Sequence, residues 1–143
     1  MIKSLFKIIF ILLFSLYIMS CSIMRAKGDS GTFRGKWWNY YDRGISSAEK
    51  EDEDLDSAMN DLKTAISMRS RDQRTARTYG LHVIDYFPHR ELGIVYFKIA
   101  VQEKSATDRK KYLEYLEMSA DELNMSIRYE ESAKAAFFLN KVQ

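Results

Sequence analysis

Apolar side chains recur at intervals of three and four along most of this chain, a period that predicts helices. From about Glu53 to Ser70, Leu55, Ala58, Met59, Leu62, Ala65 and Ile66 fall on one stripe. Alanines 58 and 65 on either side of Leu62 leave room for a second helix to come close. From His89 onward, Leu92, Val95, Tyr96 and Ile99 make another stripe. After a polar link, Gln102 to Thr107, a third helix from about Asp108 to Ser126 carries Tyr112, Leu116, Ala120, Leu123 and Ile127 on one side. Glu130 to Val142 predicts a last helix with Ala133, Ala136, Phe137 and Asn140 in line. Lys36 to Ile45 predicts a first one, with Trp37 and Tyr40 or Tyr41 on an aromatic face and Gly44 as its cap. No segment shows the alternation that marks a strand. The expected fold is all-α, with about five helices.

The connections carry the unusual residues. Glu51, Asp52, Glu53 and Asp54 precede the Leu55 helix, where the positive end of the helix dipole favours acids. A calcium loop would need glycine and spacing that this run lacks. Met68 to Thr78 holds Arg69, Arg71, Arg74 and Arg77. These fit a helix C-terminus with a solvated link, or a clamp on an anionic partner or lipid. Tyr79 to Phe87 has no clean period, and Pro88, the sole proline, suits the first turn of the helix that follows.

A different pattern opens the chain. Lys3 and Lys7 precede an apolar run from Ile8 to Met19. Twelve helical residues span about 18 Å, short of the roughly 30 Å hydrocarbon core, so the run reads as an export signal rather than a permanent span. It ends in Ile18-Met19-Ser20-Cys21, which resembles the lipobox of bacterial lipoproteins. That resemblance implies cleavage after Ser20, diacylglycerol on the Cys21 sulfur and a permanent membrane tether. Ser22 in place of aspartate implies, on the same resemblance, the outer membrane, with the domain facing the periplasm. Residues 21–35 contain three glycines and form the expected flexible tether, about 20 Å in root-mean-square reach. Residues 1–20 are then the signal and 36–143 the folded domain.

Composition narrows the function classes. Of 143 residues, 46% are hydrophobic and 13% aromatic, enough for a real core. The chain has 22 basic and 20 acidic residues; loss of Lys3 and Lys7 with the signal leaves the two signs equal. A neutral chain lacks the basic surface that nucleic acid requires. One cysteine excludes an internal disulfide framework and a multi-cysteine zinc site. The best case for catalytic or metal-binding chemistry is His82, Asp85 and His89, but a proline breaks its register and no metalloenzyme motif is present. No catalytic residue, metal or cofactor is therefore expected.

Paired amphipathic helices invite a repeat search. Leu92-Gly93-Ile94-Val95-Tyr96 resembles the L-G-x2-Y of a tetratricopeptide repeat, with Tyr112, Leu116 and Ser119 at the A-x3-F-x2-A positions of its second helix. Ala58, Leu62 and Ala65 match that second half more closely, after a loose first half at Trp37 or Trp38, Tyr41 and Gly44. The resemblance implies two divergent repeats and a capping helix, in a short or truncated member of the class. It also implies a concave surface for a protein or peptide partner of the cell envelope, lined by Tyr40, Tyr41 and Tyr96 with Arg74 and Arg77 nearby. The alternative is peptidoglycan or glycan binding through Trp37 and Trp38.

Overall fold

Among the described residues, 33–50, 53–105 and 108–143 of a computed structural model, the chain forms five helices and one short hairpin. In order these are α1 (Trp37–Ala48), α2 (Leu55–Met68), β1 (Gln73–Arg77), β2 (Val83–Tyr86), α3 (Pro88–Ser105), α4 (Arg109–Tyr129) and α5 (Ala133–Val142). The expected signal, Cys21 and most of the tether lie outside the described residues. Each helix packs on the next, and α3 also touches α1 and α5.

Helix starts follow from local chemistry. The Asp54 carboxylate accepts from Ser57 N at 3.0 Å, Asp108 from Lys111 N at 3.2 Å, and the Ser132 hydroxyl from Ala135 N at 3.1 Å. Each takes up an amide that the first turn leaves unbonded, worth about 1 kcal/mol. Pro88 opens α3, where its missing N–H costs nothing.

Two crossings define the core. A Cβ placed on Gly44 of α1 would lie 2.9 Å from Leu62 Cγ and 3.3 Å from Ala58 O of α2. On Gly93 of α3 it would lie 2.8 Å from Leu123 Cγ and 3.2 Å from Ser119 O of α4. The same contact thus occurs twice: a glycine against a leucine and the backbone of a small residue four positions before it. Ala58, Leu62, Ser119 and Leu123 are all fully buried. Ser119 Oγ donates to Gly93 O at 2.7 Å, which satisfies the hydroxyl inside the second crossing. Gly44 is therefore no cap; α1 runs on to Ala48. In α4 the contact falls on Ser119 and Leu123, with Ser126 also fully buried, and not on Tyr112 and Leu116, which are half-buried.

Two further expectations are corrected. The chain is mostly helical, as expected of the all-α class, but the reading that no segment forms a strand is corrected: Gln73–Arg77 and Val83–Tyr86 pair as an antiparallel sheet. Ala76 opposes Ile84 and Arg77 opposes Val83, with an irregularity between Gln73 and Ala76. Ala76 and Tyr86 are fully buried while Arg77, Val83 and Asp85 are exposed, so one face of the hairpin covers the helices. In α5 the stripe Ala133, Ala136, Phe137 and Asn140 faces solvent. The packed side is Ala135, Phe138, Leu139 and Val142, set against Ile94, Leu123 and Ile127.

Candidate functional site

The stretch that leads into α3 gathers two distinct features, a polar junction at its base and an exposed tip on the hairpin above it. Asp72, fully buried between α2 and β1, builds the junction. Its Oδ1 accepts from His89 N at 3.1 Å and its Oδ2 from Arg90 N at 3.3 Å. These are first-turn amides of α3, and Phe87, just before Pro88, has no side-chain acceptor to offer them. The cap is supplied from the preceding link instead. Burial raises the Asp72 pKa, while the Ser126 hydroxyl, the two amides and the His89 charge pull the other way. Ser126 Oγ is buried beside it without meeting full hydrogen-bond geometry to any partner.

His89 is 8% exposed. Its Nδ1 lies 2.5 Å from Glu122 Oε2 and its Nε2 2.7 Å from Ser70 O. Both partners are acceptors, so only the imidazolium, with a proton on each nitrogen, satisfies both at once. Burial opposes that charge, but the hydrogen bond and charge of Glu122, the Asp72 carboxylate and the Ser70 carbonyl outweigh it and raise the pKa. One side chain therefore joins the α2–β1 link to α4 across the base of α3. With both nitrogens engaged, His89 has no lone pair to offer a substrate proton.

Neighbouring ion pairs extend the junction. Glu91, also buried, accepts from Lys134 of α5 at 2.8 Å and from Arg90 at 2.7 Å. Arg74 on β1 reaches Glu130 at 2.9 Å and the Glu131 carbonyl at 2.7 Å, tying the hairpin to the α4–α5 turn.

The residues expected to line a groove are placed otherwise. Tyr41 and Tyr96 are 4% and 2% exposed and belong to the core, so neither is open to a partner. The Tyr41 hydroxyl accepts from Phe87 N at 3.1 Å, and its pKa is raised by burial. Tyr40 is half-buried against Phe33, ring centroids 5.1 Å apart. Arg74 is engaged as above, and Arg77 is exposed on β1. Trp37 and Trp38 are both half-buried, with the Trp37 ring 4.4 Å from that of Tyr86 and the Arg69 guanidinium 4.6 Å over it.

His82, Asp85 and His89 are not brought together. His82 sits exposed at the tip with Nδ1 2.8 Å from Thr78 Oγ1, Asp85 is exposed on β2, and His89 is in the junction. Among the described residues no group of three or more His, Cys, Asp or Glu side chains is placed to hold a metal ion.

The tip itself is apolar. Leu81 is 89% exposed, Tyr79 67% and Val83 51%. Its turn is closed by Thr78 N donating to His82 O at 3.0 Å and His82 N to Tyr79 O at 2.9 Å, with Gly80 at φ +54. Tyr79 stacks on His82 and lies 6.4 Å from Trp38 in the first turn of α1.

The chain matches no family model, no curated protein and no solved structure. Among the described residues no helix is long and apolar enough to cross a membrane.

Proposed function

We propose that this chain is a bacterial envelope lipoprotein, held to the membrane by diacylglycerol on Cys21, whose helical domain binds another envelope protein and performs no chemistry of its own. The observation that carries the reading is the repeated crossing of Gly44 on Leu62 and Ala58 and of Gly93 on Leu123 and Ser119. Two helix pairs closed by the same small-large-small contact support a divergent tetratricopeptide-like array, with α5 as its third first-type helix. Such arrays present broad helical faces rather than enclosed pockets, which suits a protein partner. The cysteine that ends the apolar run supports the anchor, with the outer membrane, facing the periplasm, as its site. The junction around His89 is spent on joining elements, which favours a scaffold over an enzyme.

The test is cross-linking in intact bacteria that express the full chain, followed by identification of the adduct. One discrete envelope protein is expected, lost both with Cys21→Ser and with Gly93→Leu, since the first removes the anchor and the second forces the α3–α4 pair apart. Adducts unchanged by Gly93→Leu, or no protein adduct at all, would contradict binding through the helical domain.

A further inference from the structure

We propose that the hairpin tip, Tyr79 to Val83, docks on the anionic lipid surface to which the chain is tied, an inference that rests on the Cys21 tether. Exposed turns are ordinarily built from small polar residues. This one projects leucine, tyrosine and valine, the leucine 89% exposed, from a turn fixed by two backbone hydrogen bonds. That composition matches side chains that sit at a membrane interface, aliphatic groups beside aromatic ones with a polar end.

Position selects lipid over protein as the occupant. Trp38, beside Tyr79, belongs to the first turn of α1, the helix against which Phe33, the first described residue after Cys21, packs at Tyr40 and Arg43. Eleven residues separate Cys21 from Phe33, a root-mean-square reach of about 18 Å. The bilayer is thus within reach of this end of the domain.

Charge agrees with position. Arg34 and Lys36 lead into α1 and Arg77 pairs across the hairpin with Val83, with Asp42 and Asp85 as the exposed acids nearby. Basic residues on the hairpin and before α1 favour anionic headgroups.

The experiment uses the full chain carrying Leu81→Cys, extracted from bacterial membranes. Once Cys21 is lipidated, position 81 holds the only free thiol, because the sequence has one cysteine. A polarity-sensitive dye is attached there and the protein is placed in vesicles of phosphatidylcholine with or without phosphatidylglycerol. A matched chain carries the dye at Lys110→Cys, at the far end of α3 and α4. The expected result is a blue-shifted emission at position 81, quenched by brominated lipid and stronger with phosphatidylglycerol, while position 110 reports water. Aqueous emission at position 81 in both vesicles, equal shifts at both positions, or a shift that needs an added protein would overturn the proposal. The mass of the labelled chain keeps the two ideas separate. An unmodified Cys21 would refute the tether, and a Cys21→Ser/Leu81→Cys chain added to the same vesicles would then still report the tip.

Discussion

Replacing Gly93 by alanine adds one carbon that would stand 2.8 Å from Leu123 Cγ, 3.1 Å from its Cδ2 and 3.2 Å from Ser119 O. Carbon pairs are comfortable at about 3.5–4.0 Å, so the first contact is short by about 0.7 Å. Cγ is a branch point near the backbone and cannot swing aside as a side-chain end would. Ser119 O belongs to α4 itself. Either the helices separate or Leu123 leaves its rotamer, and overpacking of this kind costs about 1–3 kcal/mol. Against it stands the helix preference of alanine over glycine, about 1 kcal/mol. The clash should win, for a net loss of about 1 kcal/mol. Gly44→Ala should lose a similar amount, because its distances are each 0.1 Å longer. A double-mutant cycle separates the two effects. Leu123→Ala alone should cost about 2–5 kcal/mol. In that background both leucine contacts are gone and only the 3.2 Å approach to Ser119 O remains, so Gly93→Ala should cost less than in the parent by about 1 kcal/mol. The assay is urea unfolding of Phe33–Gln143 followed by far-ultraviolet circular dichroism. Additivity within about 0.5 kcal/mol would refute the close crossing, as would a single Gly93→Ala that stabilises.

Other outcomes follow from the junction and the hairpin. Asp72→Ala should leave the amides of His89 and Arg90 without their acceptor and cost about 1–3 kcal/mol in the same unfolding assay. His89 should make stability fall with rising pH. Its folded pKa is raised, so its contribution is complete below the unfolded value near 6.5 and is lost as pH climbs through the folded one. The slope across that window should not exceed about 1.4 kcal/mol per pH unit. Unfolding curves of His89→Gln should lack that slope, and an unchanged pH profile would exclude the charged clamp. Tyr86→Phe should cost about 1 kcal/mol, because the hydroxyl donates toward Ala65 O at 2.9 Å and Arg69 O at 2.7 Å. Hydrogen exchange at the Ala76 amide, opposite Ile84, should quicken in that variant.

Much of the helical frame can be read from local pattern. The α2 stripe is the buried stripe and Pro88 opens α3, although α3 runs on to Ser105 through most of the polar stretch, Gln102 to Thr107, expected as a link. What the pattern misses depends on residues far apart in sequence. Gln73–Arg77 carries two arginines and one small apolar residue, so it shows no alternation; it becomes a strand because Ala76 and Tyr86 meet the surface of α1 and α2. In α4 the small positions of the crossing are serines, which a hydrophobic period passes over. Ser119 is at home there only because Gly93 O is within reach. The α5 segment holds two apolar stripes, and the one with Phe138, Leu139 and Val142 has the larger side chains to bury. Asp72 lies among arginines and looks solvated. The available signal was indirect: Phe87 before Pro88 cannot cap α3, so some other side chain must. Glu122 is 33 residues from His89, beyond any local motif. Tyr41 and Tyr96 show the converse error, since a tyrosine near a presumed concave face is equally suited to a core in which its hydroxyl finds an amide, as Tyr41 does at Phe87.

The central claim is that this helical domain is displayed from a lipid on Cys21. Its most direct test is the intact mass of the chain extracted from bacterial membranes, with fragmentation of its N-terminal peptide. The account predicts that the mature chain begins at Cys21 and carries a diacylglycerol on its sulfur. A chain that keeps Met1, or one that begins elsewhere with a free Cys21 thiol, would contradict it.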